Sequence, residues 1–281
     1  MSVIASQVPQ RLPAGSTTDP PYGPWADCGN GNPAFYHQFF DDFDYNLGVT
    51  GIYTITNVNG GTVAHVAGDG GLALFTTGAA SGNPESIQLP FANFTLPQGA
   101  LAGKKEFYLA RLQLSDVTNS AFIAGLCNTT TTPFTAISDG VWFSKASGGT
   151  QLVLNVASGG TTKSFNVATN TYQLTNAVNF DLAWYIDKYG NIQYSVGSQL
   201  VGWIPQSGTS AVGSSAFGNV GVPLLPVNCP TGKLYSGNQP TTVASGYTLS
   251  TANLNPTLGV QTGAASAKTM TVDFHIVSKE R

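Results

Sequence analysis

The glutamates of this chain are few, and their spacing limits the chemistry that they could perform. The sequence contains Glu85, Glu106 and Glu280, and none of them has a second carboxylate at the short spacing that a catalytic pair on one strand requires. A retaining glycosidase needs a nucleophile and an acid/base about 5 Å apart. The glutamates therefore predict no glycosidase chemistry, and we expect the protein not to be an enzyme.

One acidic cluster remains, formed by Asp41, Asp42 and Asp44. Neighbouring residues on a strand point to opposite faces, so Asp41 and Asp42 should not converge on one substrate. The three carboxylates could supply oxygen ligands to calcium, although the regular acidic spacing of a calcium loop is absent. We expect no catalytic residue here and no cofactor, with calcium as the one alternative.

The histidines and cysteines are also widely separated. No Ser, Cys or Asp in a recognised catalytic setting is adjacent to His37, His65 or His275. We therefore expect ordinary surface or half-buried histidines. A triad assembled from distant residues stays open at this point. The three cysteines, Cys28, Cys127 and Cys229, are odd in number and fit neither a disulfide framework nor a zinc spacing. We expect reduced thiols.

The elements that would position these residues are strands. Phe180, Leu182, Trp184 and Ile186 alternate with a second set of residues, which is the period of a half-buried strand, and Gly190 suits the hairpin turn that follows. No helix of useful length is readable. The pattern predicts an all-β fold, an antiparallel β-sandwich of jelly-roll type. Strands are expected at about 50–56, 62–67, 71–76, 86–95, 106–115, 121–127, 140–145, 151–157, 163–168, 180–187, 191–196, 199–204 and 268–278, with Trp142, Trp184 and Trp203 packed in the core.

Proline and glycine content divides the chain. Residues 1–38 are Pro-rich and predict an extended N-terminal arm, residues 39–278 predict the sandwich domain, and 279–281 form a tail. Within the domain, residues 205–250 lose the strand pattern and predict a long loop insertion. In the arm, Tyr22 and Trp25 are aromatic anchors suited to a pocket of a partner. With Arg11, they are the predicted partner-binding residues.

Composition excludes several classes of protein. Only 9% of the residues are charged, the net charge is −3, and Lys104-Lys105 is the only adjacent basic pair, so we expect no nucleic-acid binding. No apolar run approaches the roughly 20 residues that span a bilayer, so we expect no membrane insertion. The N-terminus lacks a basic region before a long apolar stretch, so we expect no export by the usual route. A surface this poor in charge repels neighbours weakly, which suits packed assemblies and secreted lectins alike.

Several segments resemble a known family. The hairpin at 180–200, with its Asp-Lys-x-Gly-Asn turn, resembles that of concanavalin A-like jelly rolls of the laminin G or lectin type. Residues 39–43, 258–263 and 271–274 are similar to the first and last segments of that fold in tailed-phage virion structural proteins. The resemblance implies a jelly roll. It does not fix an activity, since the fold serves lectins, glycosidases, lyases and virion components.

The resemblance leads to three hypotheses about function. The preferred one is a capsid decoration or cement protein of a bacteriophage, assembled in the host cytoplasm and located on the exterior of the virion. Its partners would be the major capsid protein and further copies of the chain, as a dimer or trimer. The alternative is a glycan-binding module on a virion or tail fibre, and the third hypothesis is a polysaccharide-cleaving enzyme.

Overall fold

The computed structural model describes residues 36–44, 49–68, 70–98, 104–167, 173–187, 190–197, 199–204 and 247–281. These residues form fifteen β-strands and a single 3₁₀ turn at Val49–Gly51. The strands are β1 (Tyr36–Asp41), β2 (Thr54–Asn57), β3 (Thr62–Val66), β4 (Leu72–Thr76), β5 (Pro84–Gln88), β6 (Glu106–Leu114), β7 (Ser120–Cys127), β8 (Gly140–Lys145), β9 (Leu152–Ser158), β10 (Thr161–Asn166), β11 (Phe180–Ile186), β12 (Ile192–Val196), β13 (Gln199–Ile204), β14 (Asn255–Thr262) and β15 (Thr269–Glu280).

The strands pair into two sheets that face each other. One sheet has eight strands in the order β13-β12-β11-β6-β15-β4-β3, with β1 also paired to β15, and the other has seven in the order β10-β9-β8-β7-β14-β5-β2. The strand pairs are antiparallel. The predicted antiparallel β-sandwich of jelly-roll type is confirmed.

The predicted alternation in β11 places its large side chains between the sheets. Phe180, Leu182, Trp184 and Ile186 are at most 3% exposed and belong to the sandwich core. Gly190 adopts a positive φ of 81° in the turn that follows, as expected for a short hairpin. This segment of the sequence therefore predicted both strand and turn.

The opposite face of β11 differs from the prediction of a half-buried strand. Ala183 and Tyr185 are also buried, because β6 and β15 carry apolar residues on the same outer face. The resulting outer cluster consists of Phe107, Leu109, Ala183, Tyr185, Phe274 and Ile276, with Phe40 packed against it. The eight-stranded sheet is thus apolar on both faces in this region.

The sheets extend past the predicted domain bounds. β1 begins at Tyr36, within the predicted arm, and β15 ends at Glu280, within the predicted tail, where these two residues pair. The strand predicted at 86–95 ends at Gln88. β14 was not among the predicted strands, because burial on both sides and its Pro256 and Gly259 hide any alternation.

Most of the predicted arm, residues 1–35, lies outside the described residues, as do positions 205–246 of the predicted insertion. The last part of that insertion packs on the sandwich. Tyr247 is buried, and its hydroxyl donates to the carbonyls of Gly190, at 2.5 Å, and Ile204, at 3.3 Å. Among the described residues, no helix has the length and apolar character needed to cross a membrane.

Candidate functional site

The fold brings two of the histidines to one place. The side chains of His65 and His275 both contact Phe43, with ring centroids 6.0 and 5.7 Å from that of Phe43. The hydroxyl of Tyr53 donates to Asp41 Oδ2 at 2.5 Å and lies 2.7 Å from His275 Nε2. Because the phenol donates its proton to Asp41, the neutral imidazole carries its own proton on Nε2 and donates to the phenol oxygen. This Asp41–Tyr53–His275 group is the sealed cluster.

The sealed cluster contains groups that could move protons, but no substrate can reach them. His275 is fully buried, and that burial lowers its pKa to about 3. Burial raises the pKa of Asp41, which is 1% exposed. Asp41 also accepts the backbone N–H of Phe43, so it anchors the chain just after β1. The cluster therefore holds β1 against β15 and has the character of a structural core.

The glutamates do not approach one another as a catalytic pair. Glu106, the first residue of β6, is buried. Burial raises its pKa to about 8, although the positive charge of Lys279 acts in the opposite direction. Glu85 lies on β5 in the other sheet, accepts the N–H of Val58 at 3.2 Å, and has a pKa that burial raises to about 7. Glu280 accepts the N–H of Lys105 at the sheet end. Each carboxyl has a separate, local environment.

The predicted calcium alternative has no support from the geometry. Asp41 and Asp42 are each 1% exposed and Asp44 is exposed, so the three side chains are not presented together. Within the described ranges, no group of three His, Cys, Asp or Glu residues could hold a metal ion. Cys127 is a free, buried thiol, as predicted, while Cys28 and Cys229 lie outside the described residues.

An open groove lies on the outer face of the seven-stranded sheet. Its volume is about 380 Å³. The loop between β7 and β8 forms one wall through Phe134 and Ile137, and β7 and β8 form the floor through Ile123 and Trp142. The lining residues are Ala121, Phe122, Ile123, Pro133, Phe134, Thr135, Ile137, Trp142, Ser144, Lys145, Ala146, Ser147, Asn155 and Gln261. We call this the Trp142 groove.

A row of neutral polar side chains crosses three strands beside the groove. Asn155 Nδ2 donates to Ser144 Oγ at 2.7 Å, and Ser164 Oγ donates to Asn155 Oδ1 at 2.8 Å. These residues lie on β8, β9 and β10, whose outward positions come into register across the sheet. Asn155 is 6% exposed, and its Nδ2 also donates to the carbonyl of Trp142 at 3.5 Å, so the row fixes the orientation of an amide at the floor of the groove.

Two glycines allow the groove to form. A Cβ on Gly125 would lie 2.4 Å from the Cα of Trp142, and one on Gly259 would lie 3.1 Å from the ring of Phe134. A side chain at either position would displace an aromatic residue of the groove. Their lack of a side chain therefore lets Trp142 and Phe134 approach the sheet closely.

The only ionisable side chain among the described residues that line the groove is Lys145. It is 2% exposed, and its Nζ donates to the carbonyls of Ala146 and Gly149 at 2.8 Å each. Burial lowers the pKa of this lysine to about 8. The groove thus presents aromatic surface and neutral hydrogen-bonding groups, which suits recognition of an uncharged polar molecule.

The sequence did not identify this site. Trp142 was predicted to be a packed side chain, and it is buried at 7% exposure, but it lies in a small cluster on the outer face with Ile123, Cys127 and Ala157 and not in the main core. Trp184 does pack in the core, and the side chain of Trp203 is not described. The predicted partner-binding residues Arg11, Tyr22 and Trp25 lie outside the described residues. The one available signal was the Trp-x-Ser of β8, which carries its aromatic and hydroxyl to the same face.

Comparison with known proteins yields resemblances of shape alone. No protein-family model and no curated protein matches the chain. A protein of unknown function from Shewanella oneidensis MR-1 has a similar structure, with a TM-score of 0.48, 9% identity, and coverage of 86% of this chain and 87% of that one. The carbohydrate recognition domain of Emp47p has a TM-score of 0.49 and 9% identity, with coverage of 88% of this chain and 97% of that one. A carbohydrate esterase of the Shiga toxin-encoding bacteriophage phi24B has a TM-score of 0.45 and 9% identity, with coverage of 85% of this chain and 95% of that one. Likenesses this distant leave the function to be argued from the site itself.

Proposed function

We propose that the protein is a non-catalytic binding module that takes a neutral glycan in the Trp142 groove. The observation that carries this proposal is the combination of Phe134 and Trp142 with the oriented amide of Asn155 in one open groove. Sugars offer apolar C–H faces and hydroxyl groups, so they are recognised by aromatic surface together with neutral donors and acceptors. The volume of about 380 Å³ is in the range of small-molecule sites.

The chemistry of the lining supports binding without turnover. Hydrolysis of a glycosidic bond needs an acid and a base or nucleophile at the bond. Among the described residues, the groove contains no carboxylate, and its lysine is engaged with two backbone carbonyls. We therefore propose adhesion and not cleavage.

Binding of the full-length protein to an array of neutral and acidic glycans tests this proposal. We expect retention of neutral glycans, and we expect Phe134→Ser and Gln261→Ala each to weaken it by about tenfold or more. Thr162→Ala is a matched control, because Thr162 is exposed on β10 and does not line the groove. Binding that survives Phe134→Ser unchanged, or release of reducing sugar from any glycan, would contradict the proposal.

A second candidate function is decoration of a bacteriophage capsid, on the exterior of the virion. The favouring observation is that three loops at one end of the sandwich, residues 89–98, 128–139 and 249–254, contain one charged residue, Asp139, whose carboxylate accepts hydrogen bonds from Ser138, Gly159 and Ser250. Such a surface can pack against coat subunits with little desolvation of ions. The partners would be the major capsid protein and other copies of this chain, with Arg11, Tyr22 and Trp25 of the arm as further contacts.

Purified particles provide the test of this second candidate. We expect the protein in stoichiometric copy number, and we expect the triple substitution of Arg11, Tyr22 and Trp25 to alanine to lower its occupancy. A truncation for the same purpose should stop at residue 35, because Tyr36 already pairs with Glu280 in the sheet. Equal occupancy of the triple variant would remove the arm from the hypothesis, and absence from particles would end the hypothesis.

A further inference from the structure

The outer face of the eight-stranded sheet lies on the side of the sandwich opposite the Trp142 groove, and its apolar side chains are buried. The members of the outer cluster are each at most 6% exposed. They belong to β6, β11 and β15, which are neighbours in one sheet, and within the described ranges no apolar side chain from outside this sheet packs against them. The outer face of an antiparallel sheet is ordinarily solvated. Such low exposure on an outer face therefore implies a covering layer.

Two rows of side chains cross this face in register. The first row consists of Gln38, Ser278, Phe107, Tyr185 and Gln193. The second row consists of Phe40, Ile276, Leu109, Ala183 and Ser195. The rows cross β1, β15, β6, β11 and β12, so with strands about 4.8 Å apart the face is about 19 Å wide. It is a broad apolar surface with aromatic rings in both rows.

Polar atoms are buried on both sides of these rings. Ser278 and Ser195 are each 2% exposed, and Gln193 is 5% exposed. Within the part of the chain that the structure describes, Ser278 Oγ, Ser195 Oγ and Gln193 Oε1 have no hydrogen-bond partner. A buried polar atom without a partner is unfavourable. The covering layer should therefore offer hydrogen-bonding groups as well as apolar surface.

A segment in the polyproline II conformation offers this combination of groups. Its carbonyls make no internal hydrogen bonds and can accept from serine hydroxyls, and its proline rings pack on aromatic surfaces. The N-terminal arm contains the sequence Pro20-Pro21-Tyr22-Gly23-Pro24-Trp25, which includes the Pro-x-x-Pro spacing that such recognition uses. A second Pro-x-x-Pro sequence occurs at 223–226. Two segments of this chain therefore have suitable chemistry.

The connectivity of the chain favours the arm. The arm continues directly from β1, which is itself a strand of the face and contributes Phe40 to it. Residues 26–35 separate Trp25 from β1 and can span at most about 35 Å, which exceeds the width of the face. Within them, the sequence Gly-Asn-Gly-Asn-Pro at 29–33 predicts a reversal of the chain. Residues 20–25 can therefore reach back across the sheet.

The other candidate segment starts and ends elsewhere. Residues 205–246 follow Ile204 of β13, an edge strand that β12 separates from the outer cluster. They return to Tyr247, whose ring packs edge-on against Phe165 of β10, an edge strand of the other sheet. Both ends of this segment therefore lie at the side of the sandwich and not on the outer face.

We propose that residues 20–25 of the arm dock on the outer face of the eight-stranded sheet of the same chain, with Tyr22 and Trp25 packed on the outer cluster. The backbone of this segment supplies the hydrogen-bond partners for the buried serines and Gln193. The proposal does not rest on glycan binding, because the Trp142 groove lies on the other sheet. It assigns the two aromatic residues to the chain's own domain in the free protein, so a coat protein can use them only after it displaces the arm.

Hydroxyl-radical footprinting of the full-length protein tests this proposal against two references in the same molecule. Phe91 is 73% exposed and gives the oxidation rate of an open ring, whereas Trp184 is buried between the sheets and reports unfolding. After correction for the reactivity of each residue type, we expect the two phenylalanines of the outer cluster to be oxidised about tenfold more slowly than Phe91 in the wild-type protein. In the double variant Tyr22→Ser/Trp25→Ser, their rates should rise to within about twofold of that of Phe91, while Trp184 stays protected.

Two matched variants identify the covering segment. Leu12→Ser removes an apolar residue elsewhere in the arm, and Leu224→Ser/Leu225→Ser removes the apolar residues of the second Pro-x-x-Pro sequence. Neither should change oxidation of the outer cluster by more than about twofold. Three results overturn the proposal: an outer cluster oxidised as fast as Phe91 in the wild-type protein, protection that persists in the double variant of the arm, or exposure caused by the Leu224→Ser/Leu225→Ser variant.

Photocrosslinking decides the question if the double variant of the arm unfolds. Replacement of Trp25 by p-benzoylphenylalanine keeps an aromatic ring at that position. Irradiation of the dilute full-length protein should attach this residue to β6, β11 or β15 of the same chain, as mapped by mass spectrometry of the digested monomer. Attachment to any other surface, attachment to a second copy of the chain, or no attachment overturns the proposal.

Discussion

The sealed cluster around Tyr53 and the neutral row through Asn155 are both hydrogen-bonded networks that cross strands, but they have opposite exposure and opposite chemistry. The first contains a carboxyl, a phenol and an imidazole, and lies between the sheets with His275 fully buried. The second contains two hydroxyls and an amide beside an open groove. Of these two networks, the one able to move protons is sealed in the core, whereas the neutral one runs from the buried Asn155 to the exposed Ser164.

The largest expected effect comes from breaking the sealed cluster at Asp41. Asp41→Ala leaves the buried N–H of Phe43 without its acceptor and removes one of two partners of the Tyr53 hydroxyl, which keeps its contact with His275 Nε2. An orphaned buried group and a lost hydrogen bond to a carboxylate each cost about 2 kcal/mol, so we expect the free energy of unfolding to fall by about 4 kcal/mol. Chemical denaturation monitored by fluorescence measures this change.

Asp44→Ala is the control for that measurement, because Asp44 belongs to the same acidic segment but is exposed. It should change the free energy of unfolding by less than about 0.5 kcal/mol. If the proposed separation of roles holds, folded Asp41→Ala protein keeps its glycan binding. Equal destabilisation by both alanine variants would show that the cluster does not hold β1.

The second prediction concerns the Trp142 groove. Gly125→Ala would place a Cβ 2.4 Å from both the Cα of Trp142 and the carbonyl oxygen of Val141. The neighbouring strand must shift, and we expect a loss of about 3 kcal/mol in the free energy of unfolding. Gly149→Ala is the matched control, since a Cβ there meets nothing within 4 Å.

Chemical denaturation measures the stability of both variants, and the glycan array measures their binding. Gly125→Ala should lose both stability and retention of glycan, because the displaced residue is Trp142, whereas Gly149→Ala should lose neither. A Gly125→Ala protein that is destabilised yet binds normally would separate Trp142 from the binding site and would favour another location on the sandwich.

Most strands of this fold were predictable from their apolar residues, including β7, which is buried along its whole length. The run from Phe180 to Ile186 alternates, and the structure places it as predicted. β14 carries no such alternation, because both of its neighbours and the core surround it, and it was missed. Period-2 patterns report the contrast between two faces, and β14 offers little contrast, because it is buried along most of its length and contains Pro256 and Gly259.

The candidate site was less accessible to sequence reasoning than the fold. The Trp142 groove is assembled from β7, β8, β9 and the loop between β7 and β8, which follow one another in the chain, and from Gln261 of β14, which is distant in sequence. The size of a tryptophan in a strand predicts a core position. Only the pairing of β8 with β9 shows that Trp142 shares a face with Asn155. The sealed cluster likewise joins residues separated by 222 positions.

The third prediction concerns the dependence of stability on pH, which we attribute to buried carboxyl groups. Burial raises the pKa of Glu106 to about 8 and that of Glu85 to about 7, both above the ordinary value of 4.5. The folded state therefore binds more protons than the unfolded state, and this stabilisation is lost as pH rises through the folded values. We expect the free energy of unfolding to fall by about 2 kcal/mol between pH 6.5 and 8.

The lower limit of that window is set by His275. Burial lowers its pKa from 6.5 to about 3, so its contribution is lost as pH falls below 6.5 and acts in the opposite direction. Glu106→Gln should flatten most of the slope between pH 6.5 and 8, and Glu85→Gln should remove the smaller remainder. Denaturation curves across this range check both, and an unchanged slope in Glu106→Gln would place the titrating group elsewhere.

The smallest expected effect compares the loss of one hydroxyl in each network. Ser164→Ala removes the donor to Asn155 Oδ1, but Ser164 is exposed and water can replace it, so we expect a loss of about 0.5 kcal/mol. Tyr53→Phe removes a hydroxyl that contacts both Asp41 and His275 in a place that water does not reach, so its cost should be about 3 kcal/mol. Denaturation of the two variants side by side measures the ratio. Because each substitution deletes a single oxygen, similar costs would mean that the two networks are equally solvated, and the distinction between sealed and open chemistry would fail.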